Sequence, residues 1–288
     1  MTAVLEVEDL RMSYGATEVL HDVSFRVDRG EVLCLLGPNG AGKTTTIEIL
    51  EGFRSRSAGR VEVLGSDPEH AGERWRARVG VVLQSWRDHN RWRVRELLDH
   101  LGTYYRGHQR PPWPTAELLA AVGLTAHAEQ RIRTLSGGQR RRLDVAIGLV
   151  GRPEVLFLDE PTAGLDPEAR REFHDLIRGL AADRSTTVLL TTHDLVEAEK
   201  LATRIVILDR GRIVADGTPT ELARRIAGRD EVGWTLDGHR HTRSTADSTA
   251  FVIDLVHRHG TALSEVEITR SSLEDTYLAL VREAEATR

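Results

Sequence analysis

VLCLLGPNGAGKTTTIEILEG, residues 32–52, passes from an apolar run through a glycine-rich turn into a pattern with helical spacing. It predicts a strand, a loop and a helix in that order. Gly37, Gly42, Lys43 and Thr44 satisfy the spacing G-x-x-x-x-G-K-[ST]. In that arrangement consecutive backbone N–H groups and a helix N-terminus point at phosphate oxygens. Gly37, Pro38, Asn39, Gly40, Ala41, Gly42, Lys43, Thr44 and Thr45 are therefore candidate nucleotide ligands, with glycine where a side chain would block the approach. Lys43 is placed to reach the β and γ phosphates as a flexible point charge, and the Thr44 hydroxyl is a candidate Mg²⁺ ligand.

At 288 residues the chain has room for one large domain and a small one, and 40% hydrophobic with 29% charged residues permits a real core. A net charge of −5 gives no general attraction to nucleic acid, so any basic patch must be local. Residues 1–15, MTAVLEVEDLRMSYG, are acidic where a secretory signal has a basic flank and an apolar core, so no export is expected. No apolar run approaches the roughly 18 to 20 residues that cross a bilayer, so membrane association is expected through a partner or a surface. The single cysteine, Cys34, lies in the first apolar run and reads as a buried filler, which fits a cytosolic site. Lys43 and Lys200 are the only lysines.

Residues 4–7 and 23–27 have the alternation of an antiparallel sheet, to which residues 61–64 return. Residues 32–36, 79–83, 155–158 and 187–191 are apolar runs suited to burial on both faces of a parallel sheet. Polar residues follow each run. The loop 37–44, Gln84, Asp159-Glu160 and His193 thereby fall at strand C-terminal ends, where open α/β sheets bind ligands. Helix-like stretches at 94–101, 115–121 and 143–150 predict an inserted helical subdomain over about 86–150. Residues 205–208 and 212–215 flank Asp209-Arg210-Gly211 as a hairpin. Beyond about residue 228 the pattern changes, and residues 229–288 read as a small α+β domain. Its strands are expected at 231–236 and 262–268, its helices at 250–259 and 273–282, and a mobile polar loop at 237–249.

Two further constellations carry chemistry. Leu135-Ser136-Gly137-Gly138-Gln139 precedes an arginine-rich helix, so Ser136, Gly137, Gly138 and Gln139 form a second candidate anion site. VLFLDE, residues 155–160, delivers adjacent carboxylates that must point in different directions. Asp159 suits Mg²⁺ coordination, and Glu160 suits removal of a proton from an attacking water.

With GPNGAGKTT, Gln84, LSGGQ, VLFLDE, Gly164-Leu165-Asp166 and His193 in this order, the chain resembles the ATP-binding subunits of ABC transporters over residues 4 to about 225. The resemblance implies an ATPase domain over 1–228: a P-loop NTPase (RecA-like) α/β core with an antiparallel β subdomain and an inserted helical subdomain. It implies a head-to-tail dimer with a second copy or a homologous subunit, two ATP molecules lying between the phosphate loop of one chain and Ser136–Gln139 of the other. Tyr14 would stack on adenine with Val19 beside it. Gln84 would touch Mg²⁺ and the attacking water, His193 would contact the γ-phosphate and hold Glu160, and Asp166 would contact the partner chain.

The runs LSGGQRRRLDVAIGLVGRPEVLFLDEPTAGLDPEARR, DRGRIVADGTPTEL and SSLEDTYLALV look most like the ATPases of drug-resistance exporters of the daunorubicin type. There the membrane-spanning permease is a separate polypeptide, which implies a peripheral place on the inner face of the cell membrane and no nucleic-acid partner. An importer ATPase and a soluble ABC protein of repair or translation are the alternatives on the same motifs. The segment WRDHNRWRVRELLDH departs from relatives, with Arg93 where Thr is usual. Trp86, Trp92, Tyr104, Tyr105 and Trp113 are expected either to offer a socket to a cytoplasmic helix of the permease or to pack the helical subdomain. Arg140 to Arg142 read as part of the signature helix, and the histidines at 239, 241, 257 and 259 as solvated or packed.

Overall fold

The computed structural model describes residues 3–82, 89–108, 110–182, 186–222, 230–245 and 247–269. Gln84 and Trp86, the last residue of the 79–83 run, and the helix expected at 273–282 lie outside the described residues. The chain divides into two compact units, Met1–Ile213 and Val214–Arg288.

In the first unit, β1 (Ala3–Tyr14) pairs antiparallel with β2 (Thr17–Asp28) and with β4 (Ala58–Val63), forming a three-stranded sheet in the order β2-β1-β4. β3 (Val32–Leu36) leads into the phosphate loop and then α1 (Lys43–Leu50). All five residues of β3 are buried, the pattern of a strand covered on both faces. After α2 (Glu73–Arg76) comes β5 (Val79–Val82), and then the helical part: α3 (Val94–Tyr104), α4 (Thr115–Ala121) and α5 (Gly137–Leu149). β6 (Val155–Asp159), α6 (Pro167–Ala182), β7 (Thr187–Thr192), α7 (Leu195–Leu201), β8 (Arg204–Asp209) and β9 (Arg212–Gly217) complete a six-stranded sheet in the order β5-β6-β7-β3-β8-β9.

β5, β6, β7, β3 and β8 run parallel. Their C-terminal ends therefore deliver Leu36, Asp159, Thr192 and Asp209 to one edge of the sheet. Helix crossovers cover both faces, so the strands are continuous apolar runs and are readable as such. The expected aromatic group divides. His89, Trp92, His100 and Tyr104 form a chain of ring contacts at 5.0–5.7 Å. Tyr105 instead packs so closely on Gly151 that a Cβ there would lie 2.2 Å from the ring, and Trp113 N donates to Val150 O.

In the second unit, β10 (Asp230–Leu236) is flanked antiparallel by β11 (His239–Thr245) and β12 (Leu263–Thr269), with α8 (Ser248–His259) between them in sequence. The sequence reading expects a mobile loop over 237–249; residues 237–245 instead form a tight turn and the strand β11, and Ser248 and Thr249 open α8. Asp237 (φ 50°) and Gly238 (φ 78°) supply the two left-handed positions that a two-residue hairpin turn needs. His241 stacks on Trp234 at 5.6 Å, and the Arg243 guanidinium lies 5.1 Å from the Phe251 ring. Planar polar groups thus do the covering that apolar residues do in an ordinary strand.

Candidate functional site

The phosphate loop is pinned from both sides by backbone. Gly37 N donates to Thr192 O, Gly211 N donates to Ala41 O, and the Thr46 hydroxyl closes on Gly42 O at 2.9 Å. A Cβ on Gly37 would lie 2.2 Å from Leu208 O, and one on Gly42, at φ 103°, would lie 2.6 Å from Leu20. These two glycines are demanded by the chain's own packing. At Gly40 (φ 82°) a Cβ meets nothing within 4 Å, so there only the backbone conformation requires glycine. Pro38 is half-buried, Asn39 and Gly40 are exposed, and Ala41 is buried beneath them.

Lys43 is buried at 5% exposure. Its Nζ donates to Gly37 O at 2.8 Å and Pro38 O at 3.1 Å, and lies 3.7 Å from Glu160 Oε1. Burial lowers its pKa, while Glu160 and Asp159 act in the opposite direction. A charge held in this way is positioned above the loop before any phosphate arrives.

Asp159 and Glu160 diverge as adjacent residues at a strand end should. Asp159 Oδ1 accepts from the Thr191 hydroxyl at 2.5 Å, and Oδ2 lies 3.4 Å from the Thr44 hydroxyl. Two hard oxygen groups from two elements fit Mg²⁺, which takes one or two carboxylates and completes its shell with substrate phosphate and water. Among the described residues, no group of three or more His, Cys, Asp or Glu could hold a metal by itself.

Glu160 has φ 41°, an uncommon conformation for a residue with a Cβ, and such strain concentrates at functional sites. Its backbone N–H donates to the Thr191 hydroxyl, and its Oε1 accepts from His193 Nδ1 at 3.2 Å. His193 is 55% exposed by side chain. Arg141 of α5 lies beneath: Nε donates to Pro161 O at 2.6 Å and Nη2 to Asp159 O at 3.2 Å, clamping the backbone on both sides of Glu160.

Tyr14, 43% exposed, ends β1 with its hydroxyl 3.4 Å from the Thr45 hydroxyl, and Val19 is half-buried across the β1–β2 hairpin. The Arg54 guanidinium sits 4.9 Å from the Tyr14 ring centroid, anchored by Glu48. Sequence reasoning missed Arg54, Arg141 and Thr191. Only Thr191 carries a signal, as a hydroxyl at the end of an apolar run.

Ser136, Gly137, Gly138 and Gln139 open α5. Ser136 Oγ accepts from Gln139 N while the Gln139 side chain accepts from Ser136 N, a reciprocal capping box. A Cβ on Gly138 would meet Ala169 at 2.8 Å, but on Gly137 it would meet nothing. Packing within this chain gives no reason for glycine at 137. Asp166 is exposed, and its Oδ1 accepts from Glu168 N and Ala169 N, capping α6. The structure therefore assembles Lys43, Thr44, Asp159, Glu160 and His193 at one edge, with Tyr14 along the loop from them.

A family profile described as ABC transporter matches residues 20–163. A daunorubicin resistance ATP-binding protein of Streptomyces coeruleorubidus is 36% identical over 301 residues, covering 96% of this chain and 95% of that one. A linearmycin resistance ATP-binding protein of Bacillus subtilis is 32% identical, covering 98% and 91%. A Nod factor export ATP-binding protein I of Ralstonia nicotianae is 43% identical, covering 80% and 72%. Among solved structures, an ATP-binding subunit of an ABC transporter superposes with TM-score 0.67 at 30% identity, covering 77% of this chain and 92% of that one.

Proposed function

From the premise that the chain belongs to the ATP-binding subunits of ABC transporters, of the exporter type, we propose that residues 1–228 hydrolyse ATP at the edge built by Lys43, Asp159, Glu160 and His193. Two chains, or one chain and a homologue, close head to tail on two ATP molecules. Residues 37–45 and Lys43 hold the β and γ phosphates, and Tyr14 stacks on adenine with Val19 beside it. Thr44, Asp159 and Gln84 hold Mg²⁺, which when bound neutralises phosphate charge. Glu160 takes the proton of the attacking water as its oxygen bonds to the γ-phosphorus and ADP leaves. His193 orients Glu160 and meets the γ-phosphate. Ser136–Gln139 and Asp166 serve the nucleotide held by the opposite chain.

The observation that carries this reading is the pairing of a strained Glu160 with His193 at 3.2 Å and buried Lys43 at 3.7 Å. That is a base hydrogen-bonded to its orienting group, with the cation of the phosphate loop at ion-pair distance from it. The open face of Gly137 supports approach of a second chain, because only backbone is offered there. No helix among the described residues is long and apolar enough to cross a membrane. On this reading, which the likeness to exporter ATP-binding proteins supports, the movement passes to a separate permease at the inner face of the membrane, and the cargo is a drug, other small molecule or lipid selected by that permease. Residues 229–288 form an accessory domain.

Tagging the chain in its native cells, solubilising membranes in mild detergent and assaying the isolated material for ATP turnover tests the assignment. Recovery of a multi-spanning partner that stimulates turnover is expected. Recovery only from the soluble fraction, with nucleic acid or ribosomes attached, would leave the ATPase and remove the exporter.

A further inference from the structure

Among the described residues, the buried side-chain polar atoms that make no hydrogen bond are Glu51 Oε1 and three atoms at the packing of α6 on α7: Arg170 Nε, His174 Nε2 and Glu197 Oε1. Glu197 is 2% exposed and His174 3%, and their facing atoms are 3.5 Å apart. A carboxylate buried this deeply is costly, and an apolar side chain would fill the space without that cost. The arrangement calls for a use other than stability.

Its contacts lead to His193. The other oxygen of Glu197, Oε2, accepts from the Thr192 hydroxyl at 2.5 Å, and that hydroxyl accepts from Asp194 N at 3.0 Å. Asp194 Oδ1 caps α7 by accepting from Val196 N and Glu197 N, while Oδ2 pairs with Arg170 of α6 at 2.9 Å. Both neighbours of His193 are thereby fixed to one buried cluster. Thr192 also accepts Gly37 N through its carbonyl, tying the same residue to the phosphate loop. A cavity of about 190 Å³ lined by Glu160, Gly164, Arg170, Thr192, His193 and Glu197 adjoins the cluster.

We propose that Glu197, oriented by His174, is a positioning residue for His193: by holding the Thr192 hydroxyl it fixes the 192–194 link, so that the imidazole stands against Glu160 when water is activated. The inference rests on the roles given to Glu160 and His193 above. It makes the packing of α6 on α7 part of the catalytic geometry, because α6 begins at the Asp166 cap that follows Gly164.

Thr192→Val keeps the shape of the side chain and removes the hydroxyl. In the full chain it should lower kcat about tenfold, the scale of a small misplacement of a catalytic group. Affinity for a fluorescent ATP analogue should stay near the parent, while the melting temperature falls by a few degrees because the buried Glu197 loses its partner. Thr192→Ser should restore kcat. Glu197→Leu, which removes the acceptor, should lower kcat similarly, and the double variant Thr192→Val/Glu197→Leu should be no slower than the slower single, because both act through one link. Parent kcat in Thr192→Val, multiplying losses in the double variant, or a fall of ATP-analogue affinity in step with kcat would each overturn the proposal. Should Thr192→Val fail to fold, Glu197→Leu carries the same comparison, with Glu197→Gln, which keeps the acceptor, as the variant that should hold kcat near the parent. If His193→Ala keeps its turnover, the reading of the site itself fails. If His193→Ala loses turnover and Thr192→Val does not, only the positioning role fails.

Discussion

Glu51 directly follows the last turn of α1, 5% exposed, and burial with Asp159 and Glu48 nearby pushes its pKa from 4.5 to about 8. The folded chain therefore holds a proton there that the unfolded chain releases. Stability from this group is fully present below pH 4.5 and is lost as pH rises through about 8. Glu51→Gln keeps the shape and removes the titration. In urea melts it should stabilise by about 1 kcal/mol at pH 5 and by about 4 kcal/mol at pH 8. Equal effects at the two pH values would mean that the carboxyl is ionised in the fold throughout. Glu51 also marks what sequence conveys at this scale. Lys43, Asp159 and Glu160 are legible because motif spacing fixes them. The burial of Glu51, and the Thr191 hydroxyl on Asp159, depend on how β6 and β7 register, Asp159 lying opposite Thr191.

At the scale of elements, the phosphate loop is a joint between β3 and α1 held by neighbours distant in sequence. A Cβ at Gly37 would strike the Leu208 carbonyl, part of a strand backbone that has little freedom to yield. Gly37→Ala should therefore lose at least about 2 kcal/mol and most ATP affinity, while Gly40→Ala pays only the left-handed φ, about 1 kcal/mol. Thermal melts of the two variants order them, and a more damaging Gly40→Ala would contradict this packing account. Pattern reading expects glycine at 37 for the sake of phosphate; the fold adds Leu208 O as the nearer reason. The parallel strands are legible because burial on both faces writes them as apolar runs. β11 is not, since His239, His241 and Arg243 give no apolar alternation and their covering of Trp234 and Phe251 exists only once α8 is placed. The Asp237-Gly238 turn is the signal that reveals it.

At the scale of the molecule, the edge that gathers Lys43, Thr44, Asp159, Glu160 and His193 offers one half of a nucleotide site, and the opening of α5 offers a different half. Ser136 and Gly137 are exposed, with Gly137 open toward solvent, and on the proposed reading a second chain completes each site. The family and the ATPase core are legible in the motifs, whereas none of these motifs specifies a cargo. The central claim is that ATP closes two chains and that Glu160 opens them by hydrolysis. Light scattering of purified Glu160→Gln, with and without ATP and Mg²⁺, tests it most directly when paired with an ATP turnover assay. The predicted result is a shift from one chain of 32.1 kDa to twice that mass on adding ATP, with turnover lower than the parent by about 10² to 10⁴. A mass that stays at one chain with ATP bound, or a turnover equal to the parent's, would contradict it.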